Sequence, residues 1–453
     1  MPKVWESCIT LAALIGVLAI GIVIFGAAVH VPMFVGVCVA ALMALYLGHK
    51  WDSIEKMMMD GIYKALQSIC ILIIVGILIG VWINAGVVPT MIYYGLKIMH
   101  PAIFFIAAVL ICSITSLATG TSWGTMGTMG VALMGIGFGL DMNPAMTAGA
   151  ILSGAYFGDK MSPLSDTTNL APAMAGTDVI AHVKAMMIPT VVTYAITLVV
   201  FGVFGAMQYH GGEADMSRVT EFAAALNAAE GGVFNINPIL LLPPVIVIVA
   251  VAMKMPAIPG ITLGIFAGAV LGLIFQPNAC DLGTLFSFGM DGYAFSDEMR
   301  AVLQSSLTED TYNTMVELLE KGGIMNMMNS VAMTIIAMMF GGIMEGTHQL
   351  EVVVNKLKKL AKGPAGLVTL TEITCVISNM TMPEQYISIV VPGRMYAEEY
   401  RKMGLHPAVL SSALEGAGTV TSLWFPGIPA VCLSPIPWGL VWPSTASTPS
   451  STG

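Results

Sequence analysis

The sequence predicts an all-α polytopic membrane protein made of two inverted repeats, each with a re-entrant hairpin and a broken transmembrane helix. Three observations support this prediction: an apolar composition, a weak internal repeat, and an uneven distribution of lysine and arginine. Of the 453 residues, 56% are hydrophobic and 10% are charged, whereas about a quarter of the residues in a soluble globular protein are charged. Since this composition cannot cover a water-exposed surface, we expect most of the chain to lie within a lipid bilayer.

Apolar stretches that are long enough to cross the roughly 30 Å hydrocarbon core recur along the chain. The first is followed at once by a second, without the small-residue cleavage site of a signal peptide, so both should be retained. We predict full spans near residues 7–28, 31–48, 68–89, 186–207, 238–253, 257–275 and 327–347.

Four further segments are apolar but interrupted by glycine and polar residues. A break in the backbone at membrane depth is tolerated only where protein or a water-filled cavity surrounds it. We therefore predict re-entrant hairpins at 101–140 and 364–396, and broken helices at 144–172 and 406–422.

The chain resembles itself at an offset of 260 residues, and the order of spans and interrupted segments agrees at the same offset. Two halves of similar construction are typical of many transporters. We predict a first repeat at 1–207, an acidic loop at 208–236 and a second repeat at 237–453. The matched pairs are Gly86 with Gly346, Thr121 with Thr381, and Ser162 with Ser422.

Charge predicts the orientation, because short cytoplasmic loops collect lysine and arginine. Basic residues precede the third span and flank the segment 364–396, whereas the loops 208–236 and 276–326 are rich in acid. This pattern predicts a cytoplasmic N-terminus and acidic loops outside. The first hairpin then enters from outside and the second from the cytoplasm, which makes the repeats inverted.

The tip of the first hairpin, residues 119–130, is dense in hydroxyl groups and glycine. Glycine permits unusual backbone angles, and freed carbonyls can then face an ion. We predict that Thr121 and Ser122 contribute to an ion site. The alternative is close helix packing through small residues.

The segment 154–172 places two carboxylates and several neutral oxygens within eleven residues. Such oxygens suit a hard cation such as Na⁺, and ionisable residues at this depth are usually functional. We predict that Asp159 and Asp166 bind Na⁺ or a proton. The alternative for Asp159 is a buried ion pair with Lys160. The neutral candidates are Ser162, Ser165, Thr167, Thr168 and Asn169.

The second repeat offers an equivalent set at its own hairpin and broken helix. The candidates are Asn379, Thr381 and Glu384 at the hairpin tip, and Glu415 and Thr419 in the broken helix. Glu345 and Glu372 are weaker candidates. Of the histidines, His348 and His406 are weak candidates for proton sensing, and interfacial anchoring is the better explanation for His30, His49, His100, His182 and His210.

Other classes of site are not indicated. The seven cysteines are scattered without a CxxC pair, so neither a metal cluster nor a disulfide framework is expected. There is no nucleotide-binding loop and no nucleophile beside a base, so we expect neither an enzyme nor a cofactor. The expected partners are the lipid bilayer, Na⁺ and H⁺, with no nucleic acid; a homo-oligomer is compatible with the sequence.

Several segments of the sequence resemble the NhaC sodium/proton antiporter family. The resemblance lies in Gly120-Thr-Ser-Trp-Gly-Thr125 and in the stretch from Gly154 to Pro172, and it continues through 341–346, 384–396 and 414–422. It implies exchange of Na⁺ for H⁺ across the cytoplasmic membrane, with inverted repeats and hairpins that meet at a central site. Some relatives instead couple these ions to carboxylates such as malate and lactate, or to amino acids.

The chain departs from this family after Ser422. A relative would continue with a segment like Pro-Trp-Asn-Thr-Cys-Gly and a final helix, whereas this chain continues Leu423-Trp-Phe-Pro and then becomes rich in serine, threonine and proline. Codons permitted for this stretch can encode the family segment when read two nucleotides later. We therefore predict a frameshift near Leu423, and a missing partner for the span at 186–207.

Two transport functions remain open from the sequence. The first is Na⁺/H⁺ antiport, in which carboxylates bind either the cation or the proton. The second is sodium-coupled exchange of organic anions or amino acids, in which hairpin-tip hydroxyls and amides such as those of Asn379 and Gln385 would hold a substrate carboxylate. A non-transporting scaffold would not need broken helices that carry carboxylates.

Overall fold

A computed structural model describes residues 2–162, 165–208, 213–253, 255–358, 363–381 and 385–424. Within these residues the regular structure is helical, and one isolated β-bridge joins Asn227 to Phe234. The predicted all-α class is therefore confirmed.

Five helices precede the first predicted hairpin. The predicted spans 7–28, 31–48 and 68–89 correspond to the first, second and fourth of them, and a π-helical turn, Ile20–Ile24, prolongs the first. The third is short and places Ile54 and Met58 against the protein. These helices are α1 (Val4–Ala19), α2 (His30–Tyr46), α3 (Trp51–Lys64), α4 (Leu66–Asn84) and α5 (Val87–Ile98).

The segment that follows contains the predicted first hairpin, the broken helix and one long span. The chain turns at Gly120, which has a positive φ of 66° that glycine adopts without strain. A π-helical turn, Met126–Gly130, interrupts the returning arm. The helices are α6 (Phe104–Thr119), α7 (Ser122–Thr125), α8 (Val131–Gly139), α9 (Pro144–Met161), α10 (Asp166–Ala175) and α11 (Val179–Gln208).

The middle of the chain contains two apolar helices and the two acid-rich loops, which are themselves largely helical. A 3₁₀ turn, Pro238–Leu241, leads into the first apolar helix. The helices are α12 (Glu213–Leu226), α13 (Leu242–Ala252), α14 (Ala257–Phe275), α15 (Leu282–Asp291), α16 (Asp297–Ser306) and α17 (Glu309–Leu319).

The last part contains, in order, a long span, a short helix, two long helices and a further helix that ends at Gly418. A 3₁₀ turn, Val420–Trp424, follows the last helix. The helices are α18 (Gly323–Gly346), α19 (Gln349–Lys358), α20 (Gly363–Thr381), α21 (Gln385–Lys402) and α22 (Pro407–Gly418).

The two halves exchange contacts around α4 and α18. Gly80 lies opposite Gly323, and Gly76 lies opposite both Gly323 and Met327, so α4 and α18 run in opposite directions. The Trp82 indole on α4 donates to the Gly264 carbonyl on α14, at 2.9 Å. Similarly, α2 of the first half packs against α18 of the second half. The second helix of each half therefore packs against the long helix of the other.

The two acid-rich loops lie on the same side of the molecule. The Thr308 amide, just before α17, donates to Glu221 Oε1 on α12 at 2.8 Å. Phe222 of α12 packs at Gly139, and Leu318 of α17 packs at Gly135, so both loops cover the same end of α8. This placement agrees with the prediction that the two loops share one side.

Apolar surface surrounds the helices. Four helices in the described part of the chain are long and apolar enough to cross a membrane, or five if the bent pair formed by α3 and α4 is one span. The longest, α11, exposes Ile188 and Val199 at 76% and 65%. Exposed side chains of this kind are stable against lipid hydrocarbon, not against water.

Candidate functional site

The first half brings a hairpin tip against the end of a helix. A Cβ at Gly154 would lie 2.3 Å from the Val109 carbonyl, and one at Gly158 would lie 2.3 Å from the Ser113 carbonyl. The contact advances by four residues on both helices, so α6 and α9 run parallel at close range. Glycine at this spacing permits such an approach.

α8, which lies between α6 and α9 in the sequence, runs in the opposite direction to both helices. Gly137 of α8 lies against Thr147, and Gly130 lies against Ile151, so α8 and α9 are antiparallel. The chain thus advances along α6, returns along α8 and advances again along α9. As a result, the turn at Gly120 and the end of α9 lie at the same depth.

Asp159 lies at this meeting point. Its side chain is 4% exposed, and its Oδ2 accepts a hydrogen bond of 2.8 Å from Ser122 Oγ just after the turn. Ser162 Oγ donates to the Leu117 carbonyl at 2.8 Å, which fixes the end of α9 against α6. Ser122, at the tip of the first hairpin, therefore contacts the end of α9 through its hydroxyl group.

Hydroxyl groups continue beyond the break. Thr168 Oγ1 donates to the carbonyls of Asp159 and Lys160, at 3.2 and 3.1 Å. Ser165 Oγ and Thr167 Oγ1 lie 3.1 Å apart, and both residues are buried. These contacts fold the start of α10 back onto the end of α9.

The second half contains a hairpin of similar form. Thr374 bonds to Tyr396 at 2.7 Å, and Thr371 bonds to Tyr400 at 3.1 Å. Since one partner moves back along the chain as the other advances, α20 and α21 are antiparallel.

The hairpin formed by α20 and α21 packs against the end of α22. Asn379 Nδ2 donates to the Gly418 carbonyl at 2.8 Å and to Thr421 Oγ1 at 2.9 Å. Ser388 Oγ, on the other arm, donates to the same carbonyl at 3.1 Å. The end of α22 is therefore held between the two arms, as the end of α9 is held beside α6 and the turn that follows it.

The two halves meet through Glu415. Its carboxylate is fully buried, and Oε1 accepts a hydrogen bond of 3.0 Å from Thr167 Oγ1 at the start of α10. The charges of Lys160 and Asp159 both act on Glu415. A carboxylate of the second half is thus bound to the broken helix of the first.

In the described part of the chain, several buried oxygens around the ends of α20, α21 and α22 have no hydrogen-bond partner. Thr419 Oγ1 lies close enough to act on the Glu415 carboxylate but makes no hydrogen bond of normal geometry. The Asn379 amide nitrogen donates to the Gly418 carbonyl, so the amide oxygen, Oδ1, points away from that carbonyl. A group of buried oxygens without donors is unfavourable unless a cation or a proton binds there. The unpartnered atoms are Asn379 Oδ1, Gln385 Oε1, Glu415 Oε2 and Thr419 Oγ1.

Prolines inside helices free two further oxygens nearby. Pro172 in α10 removes the usual helical donor for the Thr168 carbonyl, and Pro392 in α21 does so for the Ser388 carbonyl. Ser388 also lies beside Gly418. Both halves therefore offer backbone oxygens in addition to side chains.

Some predicted residues lie apart from this centre. Asn169 is exposed, and its Nδ2 donates to the Ser165 carbonyl at 2.6 Å. Thr121 is half-buried and caps α7 by accepting from the Gly124 amide. Glu384 and the side chains of Asp166 and Thr381 lie outside the described residues, so their assignment stays a prediction.

Other candidates lie on surfaces. Glu345 forms an ion pair with Lys64, and both side chains are more than a third exposed. Glu372 is exposed, although its charge acts on Lys160. In the described part of the chain no three His, Cys, Asp or Glu residues converge as a metal cluster would require.

Two further residues lie near the centre. Gln385, an amide that the sequence places at the second hairpin tip as a possible substrate contact, is buried. His182 was interpreted as an interfacial anchor, and this interpretation is wrong. Its side chain is fully buried because α11 begins at Val179, earlier than the predicted span, and turns His182 toward α22.

Comparison with known proteins agrees with this geometry. Residues 3–205 and 154–428 match the family described as the Na+/H+ antiporter family. The chain is 36% identical to the malate-2H(+)/Na(+)-lactate antiporter of Bacillus subtilis, over 93% of this chain and 86% of that protein. It is 33% identical to the Na(+)/H(+) antiporter NhaC of Alkalihalophilus pseudofirmus, over 92% of this chain and 84% of that protein.

A third relative is an uncharacterized Na(+)/H(+) antiporter of Haemophilus influenzae, 32% identical over 97% of this chain and 93% of that protein. The matches thus cover nearly the whole chain, including both hairpins and both broken helices. The chain is a multi-pass membrane protein that belongs to the Na⁺/H⁺ antiporter family, within its NhaC group.

Proposed function

We propose that the protein exchanges Na⁺ for H⁺ across the cytoplasmic membrane, and that the exchange site lies where Asp159 and Glu415 meet. The observation that carries the proposal is the contact between Thr167 and Glu415, which joins the broken helix of one half to that of the other. Around it lie buried oxygens without donors. Carbonyls at helix breaks and carboxylates are the groups that bind Na⁺ and protons in transporters of this construction.

Competition for one set of carboxylates is sufficient for exchange. A buried carboxylate without a counter-ion is costly, so it must hold either Na⁺ or a proton. If the site opens to only one side of the membrane at a time, the ion that it carries across must be released and replaced by the other ion before the site returns. The Asp166 side chain, at the first position of α10, is assigned to the same site as a proposal.

The arrangement of helices supports two inverted repeats. In each half an arm, a returning arm and a further helix follow one another, and the last helix ends beside the hairpin. α4 and α18, which correspond at the 260-residue offset, run in opposite directions. We propose that the hairpins are re-entrant, that the acid-rich loops lie outside and that the N-terminus is cytoplasmic.

A second candidate is sodium- and proton-coupled exchange of an organic anion. The observation that favours it is Lys160, whose ammonium group lies 3.8 Å from the position of a Cβ on Gly416. A buried ammonium group and nearby amides are suitable partners for a substrate carboxylate. The relative from Bacillus subtilis, by its name, exchanges malate and lactate together with these ions.

The experiment is ion flux in proteoliposomes that contain a pH-sensitive dye. We expect a Na⁺ pulse alone to drive proton movement, and we expect Asp159→Asn and Asp166→Asn to abolish it while each variant still inserts. The matched control is Asp141→Asn, in the loop before α9. Proton movement that requires malate, lactate or an amino acid would favour the second candidate. Unchanged exchange in well-inserted Asp159→Asn would contradict the proposed site.

A further inference from the structure

His182 lies on the one narrow buried stripe at the start of α11. Much of this helix is exposed, but His182, Met186 and Thr190 recur every fourth residue and are buried. The His182 side chain is 0% exposed. An ionisable group placed this way in a membrane protein requires an explanation, because burial is costly for its charged form.

The imidazole connects the two halves of the protein. His182 Nδ1 lies 2.6 Å from Ser411 Oγ on α22. Ser411 Oγ also donates to the Ala408 carbonyl at 3.3 Å. We assign the hydrogen to Nδ1, because Nδ1 can then donate to Ser411 while the single proton of the Ser411 hydroxyl group is donated to Ala408.

This tautomer leaves Nε2 as a buried base. Nε2 has no hydrogen-bond partner among the residues that the structure describes. A proton that bound there would create a buried cation without an acceptor, which is unfavourable. The packed arrangement of α11 and α22 therefore selects the neutral form of His182.

Neighbouring charges reinforce this selection. Of the elements packed on α11, α9 carries Asp159 and Lys160, α10 begins with Asp166, α22 carries Glu415, and α6 carries no charged residue. Lys160 acts directly on His182 and disfavours a second positive charge there.

We propose that His182 is a proton-responsive contact that holds α22, and with it Glu415, against the first half of the protein. Ser411 and Glu415 are one helical turn apart, so they share a face of α22. That face is attached to the first half twice, through His182 and through Thr167. Protonation of His182 opposes the first attachment and favours a state in which α11 and α22 separate at this point.

The inference concerns regulation of the proposed exchange, and His182 acts as a positioning residue, not as an ion ligand. Below the pH at which His182 titrates, α22 should be less firmly held and exchange should slow. Competition between H⁺ and Na⁺ also slows exchange in acid, but excess Na⁺ relieves that competition. The effect of His182 persists at saturating Na⁺.

The test uses His182→Asn, in which the amide nitrogen retains a donor for Ser411 but does not titrate. At saturating Na⁺ we expect the exchange rate of the unchanged protein to fall about tenfold from about pH 7 to about pH 4, because the packed arrangement favours the neutral imidazole and its protonation therefore needs a pH below the ordinary histidine range. We expect the variant to lose less than about twofold over the same range. The control is His406→Asn at the start of α22, where asparagine preserves the N-terminal cap that His406 provides.

A second measurement does not depend on transport. Hydrogen exchange of α22 amides, compared between the unchanged protein and His182→Asn at each pH, should be faster in the unchanged protein only in acid. Ser411→Ala, which breaks the contact from the other side, should expose α22 at every pH. An acid decline that persists in His182→Asn, or α22 protection that does not differ between the two proteins at any pH, overturns the proposal. Because the second measurement needs no flux, it still decides the matter if Na⁺/H⁺ exchange itself fails.

Discussion

Asp159 is placed by contacts on both sides of its own helix end. Ser122 donates to its carboxylate, and Thr168 donates to its backbone carbonyl. The carboxylate can therefore remain ionised at depth only while these donors and a cation compensate its burial. Removing the Ser122 hydroxyl group should therefore weaken cation binding at Asp159 without removing the carboxylate.

We accordingly expect Ser122→Ala to raise the Na⁺ concentration for half-maximal exchange by about tenfold. A hydrogen bond to a charged group contributes about 1.5–3 kcal/mol, and 1.4 kcal/mol corresponds to a factor of ten. The measurement is the Na⁺ dependence of dye-reported flux. Ser153→Ala, on the same α9, removes a serine that bonds only to the Gly149 carbonyl among the described contacts, and it should leave this dependence unchanged. Equal behaviour of the two variants contradicts the role of Ser122.

The sequence was informative about some of these residues and not others. Asp159 and Glu415 could be selected because a carboxylate within an apolar segment is rare and has few structural explanations. The contact between Thr167 and Glu415 could not be predicted, since it depends on how two segments 248 residues apart are packed. His182 was misinterpreted because hydropathy indicates depth along a span but not which face of the helix is buried.

At the scale of single elements, the close parallel packing of α6 and α9 determines where the first hairpin tip lies. Gly154 and Gly158 bring the backbones into contact, and Ser116 Oγ donates to the Ala155 carbonyl at 2.6 Å. Any side chain at Gly158 must displace α6, because the nearest atom is a backbone oxygen. The position of Ser122 beside Asp159 depends on this approach.

Gly158→Ala should therefore destabilise the protein by about 2 kcal/mol, which is typical of overpacking, and should also reduce exchange. The matched control is Gly149→Ala on the same helix, where the added Cβ would meet Phe201 at an ordinary 3.6 Å. Thermal unfolding in detergent measures the stability of both variants. If Gly158→Ala unfolds at the same temperature as Gly149→Ala, the proposed role of this close packing is wrong.

The acid-rich loop after α12 is attached to α5 by a small polar cluster. Tyr93 donates to Glu230 Oε1 at 2.6 Å, and Lys97 lies 3.5 Å from the same oxygen. The hydrogen bond from Tyr93, with a smaller contribution from Lys97, lowers the pKa of Glu230 below its ordinary 4.5. Because the pKa of Glu230 is lower in the folded protein than in the unfolded chain, the cluster stabilises the folded state fully above the ordinary pKa. This stabilisation is lost as the pH falls through the lowered pKa of the folded protein.

Tyr93→Phe should consequently lower thermal stability at neutral pH by about 0.5 kcal/mol, a small effect because the cluster is partly exposed and screened. The difference from the unchanged protein should disappear at about pH 3. Melting temperatures over this range provide the measurement. Tyr94→Phe removes the neighbouring hydroxyl group and should have no pH-dependent effect. A Tyr93→Phe difference that grows in acid contradicts the expected direction of this pH dependence.

Element boundaries follow the sequence where composition is uniform and depart from it where packing decides. The predicted spans 257–275 and 327–347 agree closely with α14 and α18, since both are long apolar runs. The helices within the acid-rich loops were not predicted. Their apolar residues, such as Phe222 and Leu318, are few and meet a core only when the loops fold over α8.

At the scale of the whole molecule, the long helices α4 and α18 pack against helices from the other part of the chain. α4 contacts α14 of the second half, and α18 contacts α2 of the first. Neither half therefore buries its long helix by itself. The two halves should fold and unfold together, which the sequence could not indicate because an internal repeat is equally compatible with two independent domains.

The end of the chain provides the last prediction. In the first half, α10 forms the part of the broken helix that follows α9, and it packs against α21 and α22. The 260-residue offset places its counterpart at 426–435, which lies outside the described residues. This stretch contains Pro426, Pro429 and Pro435, and three more prolines follow at 437, 443 and 449.

Proline within a helix costs about 3 kcal/mol and removes a donor, so a regular counterpart of α10 and α11 is not expected from this tail. We predict that a coding sequence repaired near Leu423 to give Pro-Trp-Asn-Thr-Cys-Gly and a final helix inserts in higher yield, melts at a higher temperature and exchanges Na⁺ faster in the same vesicles. A control that replaces the tail after Leu423 with a glycine- and serine-rich linker of equal length should behave like the present chain, because such a linker also supplies no helix. If resequencing confirms the present tail, and this chain exchanges Na⁺ as fast as the repaired one, both the frameshift and the need for a final helix are refuted.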